Sequence, residues 1–354
     1  MTGINEGPHD VGRTGDTPPK AAAPHSKVRS ASDTITEKLG LETIEGFSLG
    51  SFFSQVFSKH DPEAIESMFT VGSPATTPAL NPQMGELPNP WIFFRVLVGA
   101  VAVYLLFLMS WNQFGNVNVI PGLIMAGSFA VPFSVLILFY EINTPRNVSL
   151  VRLMELVVAG GALSLLISLV LYDKLDFLGV FGASAAGIIE EIGKLAAVLF
   201  AMRLLPMSRY PYRINALLFG AAVGTGFAAF ESAGYALRIG LNDSSAMLDN
   251  ITVRGAMSPF GHIVWTAIAT SAYWRARQEN KDFASTVQSK RFLLLFSAPV
   301  ALHFIWDMPF EGPFMIKYWV LGFVAWVIVI SLIQSALKEI SERAVASPSI
   351  ASPA

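Results

Sequence analysis

Cysteine is absent from all 354 residues, which removes disulfides, thiolate nucleophiles and cysteine-based zinc sites from consideration. Charge is scarce as well. Asp, Glu, Lys and Arg make up 14% of the chain, where a soluble domain carries about 25%. A net charge of −2 gives no reason to expect a nucleic-acid partner. The first twenty residues are polar and rich in Pro and Gly; they lack the apolar core of a cleavable signal peptide, so none is expected. The H-E-x-x-H pattern of many zinc hydrolases is missing too. What is present in excess is apolar. Hydrophobic residues reach 53% and the mean hydropathy is +0.51, the composition of an integral membrane protein.

Along the chain, residues 1–40 lack periodicity and are expected to be a disordered tail. Residues 41–73 differ. Phe47, Phe52, Phe53, Val56 and Phe57 recur near helical spacing, and Asp61 precedes "PEAIESMF" as a cap, so two short amphipathic helices are expected. Residues 74–90 form a Pro-rich linker. From Trp91 the chain is a succession of apolar runs of the ~20 residues that span a bilayer. Eight are expected, near 91–110, 119–140, 152–172, 180–203, 214–237, 257–275, 291–308 and 317–337. Residues 338–354 would be a cytosolic tail. The fold expected is an all-α polytopic membrane protein. Threading the runs places thirteen Lys and Arg on one side and four, Lys174, Arg238, Arg254 and Lys317, on the other. That bias puts both termini in the cytoplasm of a multi-pass cell-membrane protein. Gly220 and Gly224 form a G-x-x-x-G, which permits close helix contact.

Against this background "GIIEEIGKLAAVLF" stands out, because Glu190, Glu191 and Lys194 put three charges into five residues of an apolar run. Each charge at the bilayer centre costs roughly 2.5–3.5 kcal/mol on insertion scales. Three further runs carry ionisable residues: Glu231 in "GFAAFESAG", His262 in "SPFGHIVWTA", and His303 with Asp307 in "ALHFIWDMPF". Glu190 with Lys194, His262 with Thr266, and His303 with Asp307 have i, i+4 spacing and so share helix faces. Glu190 and Glu191 point about 100° apart and should have different partners. Counted at ~1.5 Å per residue, all these groups converge on the outer leaflet, with Arg254 just outside. Glu155, beside Arg152, falls near an inner end and is expected to be interfacial. The tryptophans, Trp265 among them, are expected near segment ends, and Phe227 as packing.

Carboxylates and imidazoles with neither a nucleophilic Ser or Cys nor a nucleotide loop point to activation of water. A partly desolvated glutamate takes the proton. A protonated histidine, or a metal held by histidine and carboxylate, stabilises the oxyanion. The same residues could instead relay protons or bind a cation in a transporter, or stand idle in a membrane scaffold.

The set resembles the PrsW family of intramembrane proteases, distant relatives of the CAAX prenyl proteases. "EEIGK" supplies Glu190, Glu191 and Lys194; "FAAFE" supplies Phe227 and Glu231; "RGAMSPFGH" supplies Arg254 and His262; "HFIWD" supplies His303 and Asp307. "LFYEINTPRNVS" also looks like a recurring feature of part of the family. Lys194, Glu231 and Asp307 depart from the prenyl-protease pattern and make prenylated substrates doubtful. The resemblance implies a peptidase acting on a membrane-anchored protein such as an anti-sigma factor at the extracytoplasmic face. Its site would comprise Glu190, Glu191, Glu231, His262, His303 and Asp307, supported by Lys194, Phe227 and Arg254. Glu190 is expected as the base for water. Crowded carboxylates in low dielectric repel one another unless protonated or neutralised by a cation, which favours Zn2+ on His262, His303 and Asp307, with Glu231 as an alternative ligand. A metal-free glutamate-dependent hydrolase stays open.

Overall fold

The computed structural model describes residues 31–346, apart from 62, 206, 281 and 311. Among these there are helices and connecting turns and no strand. Three short helices precede the apolar region: α1 (Ala31–Lys38), α2 (Leu49–Phe52) and α3 (Glu63–Phe69). Asp61 caps the third as expected, its carboxylate accepting the Glu63 N–H at 3.0 Å. Helix α1 corrects the boundary of the tail expected to be disordered, since residues 31–38 are helical; residues 1–30 and 347–354 lie outside the described residues.

The apolar region follows as α4 (Ile92–Phe114), α5 (Ile120–Ile142), α6 (Leu150–Glu155), α7 (Gly161–Lys174), α8 (Ala186–Leu204), α9 (Arg213–Gly240), α10 (Ser244–Met257), α11 (His262–Arg277), α12 (Phe283–Gln288), α13 (Lys290–Trp306) and α14 (Ile316–Ala346). A turn of π-helix joins α6 to α7 into one rod. Five elements among the described residues are long and apolar enough to cross a membrane: Ile92–Phe114, Val117–Ile142, Leu150–Lys174, Arg213–Gly240 and Pro313–Ala346. The other three expected runs form α8, α11 and α13. Helix α8 carries charges, while α11 and α13, of 16 and 17 residues, are shorter than the ~20 that a span needs.

Two local features differ from the sequence reading. The stretch after α9, expected as a loop, folds as α10, capped by Asp243 and packed on α5 and α9. It places Arg254 on a helix. Helix α14 also runs nine residues past the expected end, because Ile340 and Ala344 continue its buried face and Glu339 reaches back to α9.

The core is built around α9, buried along 89% of its apolar window, whereas α4 at the edge is buried along only 11%. Small residues on α9 allow that centrality. A Cβ on Gly224 would lie 2.5 Å from the His262 carbonyl oxygen, so α11 can lie directly against α9 only because the side chain is missing. Gly187 does the same between α8 and α13, where a Cβ would meet the Phe304 nitrogen at 2.4 Å. These two contacts set how closely the helices bearing Glu190, Glu231, His262 and His303 approach one another.

Candidate active site

The ionisable residues expected to form the site all lie near the same end of the bundle. Glu190 and Glu191 sit in the first two turns of α8, His262 opens α11, and His303 ends α13 with Asp307 as its C-cap. Glu231 lies in the last third of α9, and Arg254 in the last turn of α10.

The innermost layer is fully closed. Lys194 and Glu191 are 0% exposed, with Nζ to Oε1 at 2.5 Å. This corrects the pairing expected from i, i+4 spacing: Lys194 turns to Glu191, three residues back, and not to Glu190. The reason is a second partner, because Lys194 Nζ also lies 2.9 Å from His262 Nδ1 on α11. The ammonium stands 4.6 Å above the Phe227 ring, so Phe227 contributes a cation–π face as well as packing. Glu191 Oε1 in turn faces His303 Nδ1 at 2.9 Å.

His303 is the hub. With Nδ1–H donated to Glu191, its Nε2 faces Asp307 Oδ2 at 3.2 Å and Glu190 Oε2 at 3.8 Å. The two adjacent glutamates thus address the two nitrogens of one imidazole. Trp265 stacks on that ring at 4.5 Å and is 1% exposed. It is a wall of the site and not the interfacial aromatic that its position in the segment suggested. Thr266, expected to join His262, instead donates to the His262 backbone oxygen at 2.7 Å.

The outer layer is half-open. Glu231 Oε2 accepts from Arg254 and lies 3.0 Å from His262 Nε2. Side-chain exposure rises from 0% at Glu191 to 14% at His262, 17% at Glu231, 26% at Asp307 and 27% at Arg254. A cavity of about 420 Å³ opens on this layer, with Arg254, Ser258, Gly261, His262, Trp306 and Asp307 in its wall. Glu190 lies one layer below it, 7% exposed.

Three contributors had no signal in the sequence. Tyr172 on α7 donates its hydroxyl to Glu190 Oε1 at 3.1 Å. At the end of an apolar run it looks like any interface aromatic. Lys317 donates to the carbonyls of Trp306 and Met308, holding the chain on both sides of Asp307. Ser232 accepts from Arg254 Nε at 3.0 Å and so aims the guanidinium at the neighbouring Glu231.

Two buried carboxylate oxygens, Glu190 Oε2 and Glu191 Oε2, have no hydrogen-bond partner among the described residues. Glu190, His262 and His303 each offer one ligand atom, all within 4.8 Å of one another. This donor set contains Glu190 where Asp307 was expected; Asp307 lies instead beside His303 Nε2. Two histidines and one glutamate are the ligands of a common kind of catalytic zinc site. The unsatisfied Glu190 oxygen and the pair of carboxylates converging on His303 Nε2 also suit a divalent cation. The residues fit the group.

Comparison with known proteins agrees in extent with these motifs. No curated protein and no solved structure matches the chain. Residues 148–333, more than half of it, match the family described as PrsW family intramembrane metalloprotease. That stretch runs from the start of α6 into α14 and holds every residue of the cluster, and by this match the chain belongs to the PrsW family of intramembrane metalloproteases.

Proposed function

We propose that the chain crosses the membrane eight times, with both termini cytoplasmic, and hydrolyses a peptide bond of a membrane-anchored protein near the extracytoplasmic face. The observation that carries this reading is the single depth of the cluster. Groups from α7, α8, α9, α10, α11 and α13 meet at one end of the bundle beside a cavity. In this topology α8, α11 and α13 cross despite their charges or short length, because their polar groups face one another and not lipid. Their apolar windows would need only the thinner local bilayer that short helices induce. The transmembrane domain is then 91–337, preceded by the short-helix module and the linker. A protein anchored by one span, an anti-sigma factor for instance, would bring its extracytoplasmic stretch to the cavity.

Glu190 is the general base. Its Oε1 is occupied by Tyr172, which leaves Oε2 to take a proton from water. Glu191 and Asp307 orient His303 from its two nitrogens. Lys194 offsets the charge of Glu191 and holds the His262 ring. Glu231, fixed by Arg254, holds His262 from the other side. The cluster carries more carboxylates than cations. Where a divalent cation such as Zn2+ is bound, Glu190, His262 and His303 would hold it, with Glu190 then a ligand and not the base, and the cation would polarise the scissile carbonyl and acidify water.

The test is direct. Purified protein is incubated in detergent with a membrane proteome, and new N-termini are mapped by mass spectrometry. Wild type should generate termini just outside predicted spans, and Glu190→Ala should not. Equal sets of termini from the two would defeat the proposal. Because the chain has no cysteine, topology can be read on single-cysteine variants without background. Ser245→Cys should react with an impermeant thiol reagent in intact cells, and Ala284→Cys should not. The reverse pattern would invert the orientation.

A further inference from the structure

At the end of the bundle opposite the cluster, a second cavity of about 380 Å³ opens between the C-terminal ends of α8 and α11 and the start of α12. Arg203 from α8 and Arg277 from α11 both line it. Neither makes an ion pair or side-chain hydrogen bond among the described residues, unlike neighbouring Arg275, whose guanidinium donates to Ser335 at 2.7 Å. Both lie in the last turn of a helix, where the macrodipole favours a cation; that accounts for one charge at each end but not for two turned into a shared cavity. The one acid in the wall, Asp282, is engaged elsewhere, accepting the Ser285 N–H at 2.8 Å as the cap of α12. One further polar side chain lines the wall, Asn280, whose amide donates to the Ala276 carbonyl at 2.6 Å; Leu199, Met202, Leu205, Met207, Tyr273 and Phe283 complete it, the last of these 51% exposed. Two guanidinium groups above an apolar lip, at a helix end on the cytoplasmic side, match a phosphate with acyl chains beneath it.

We propose that this cavity binds the phosphate headgroup of an anionic phospholipid, which bridges Arg203 and Arg277. The proposal rests on the membrane orientation argued above and is independent of catalysis. Its consequence reaches the site. The bridged helices are the ones that carry Glu190 and Glu191 at the far end of α8 and His262 at the far end of α11. A lipid clamp there fixes their relative position.

The experiment uses the purified full-length chain in nanodiscs of equal parts phosphatidylcholine and phosphatidylglycerol, with retained lipid identified by native mass spectrometry. Phosphatidylglycerol should be retained over phosphatidylcholine on the order of 10- to 30-fold, the combined effect of two basic residues near a headgroup. Arg203→Gln with Arg277→Gln should abolish that preference. Arg203→Lys with Arg277→Lys, which keeps the charge, should retain most of it and serves if the first pair does not fold. Excess inorganic phosphate should not displace the lipid, because it brings no acyl chain to the apolar lip. Undiminished preference in the glutamine pair would overturn the proposal. Displacement by phosphate alone would also overturn it, since the cavity would then be a free-anion site. Neither readout depends on cleavage, so failure here leaves the protease reading untouched.

Discussion

The two ends of the helix bundle bury polar groups in opposite ways. At the end opposite the cluster, Glu141, Glu339 and a set of three asparagines are closed off. Glu141 spends both carboxylate oxygens on the backbone N–H groups of Trp91, Ile92 and Phe93, at 2.8–2.9 Å, and so caps the start of α4. Glu339 accepts the Arg213 N–H at the start of α9 through Oε2 and the Arg343 guanidinium through Oε1. Asn143, Asn147 and Asn215 form a ring of mutual amide bonds, with one amide left over for the Arg209 carbonyl. At the cluster end two glutamate oxygens have no donor, two carboxylates crowd one imidazole nitrogen, and a cavity adjoins them. A buried polar group without a partner costs about 1–3 kcal/mol, so a cluster that keeps two is held against its own stability. Among the buried carboxylates, satisfaction marks the structural end; its lack marks the end available for chemistry.

This contrast can be broken or sharpened in several ways. The largest effect should come from stripping divalent cations. Chelation should abolish cleavage and zinc should restore it, with about one zinc per chain by elemental analysis and less in His262→Ala; full activity in metal-free protein would reduce the site to a glutamate-dependent hydrolase. Next is Gly187→Leu. Its side chain would enter the Phe304 backbone, part α8 from α13 and separate His303 from both glutamates. Activity should fall at least 100-fold, alongside a stability loss of about 1–3 kcal/mol. Asn215→Ala opens the closed ring at the other end. It should cost about 1–3 kcal/mol of stability and leave cleavage per folded molecule within a few-fold of wild type. Tyr172→Phe is the mildest. Losing one hydrogen bond to Glu190 should lower kcat about 3- to 10-fold with no change in the unfolding midpoint. An unchanged rate would remove Tyr172 from the account.

The sequence made the participants legible because ionisable residues in apolar runs have no bland reason to be there. Glu190, Glu191, Glu231, His262, His303 and Asp307 all come together. What one dimension hides is which atom meets which. Spacing along α8 pairs Lys194 with Glu190, yet His262, arriving on α11, draws the ammonium toward Glu191. Tyr172 and Trp265 carry no charge, and only the third dimension distinguishes them from interface aromatics. Helix α10 escaped notice because its residues are too polar for a span and too short for a domain, although Asp243 ahead of Ser244 is a legible cap. The Gly220 and Gly224 spacing was readable, but its use, seating the His262 turn against α9, was not.

The claim that the unsatisfied end is catalytic and the satisfied end structural is tested most directly by paired substitutions of one chemistry. Glu190→Gln and Glu141→Gln are purified side by side, and each is measured for cleavage rate and for unfolding midpoint. Glu190→Gln should lose on the order of 10²–10⁴-fold in rate, the worth of a general base, with a midpoint equal to or above wild type. Glu141→Gln should keep the rate and lose about 1–3 kcal/mol of stability, because an amide offers the α4 N-terminus one acceptor in place of two. Cleavage by Glu190→Gln within a few-fold of wild type would contradict the account.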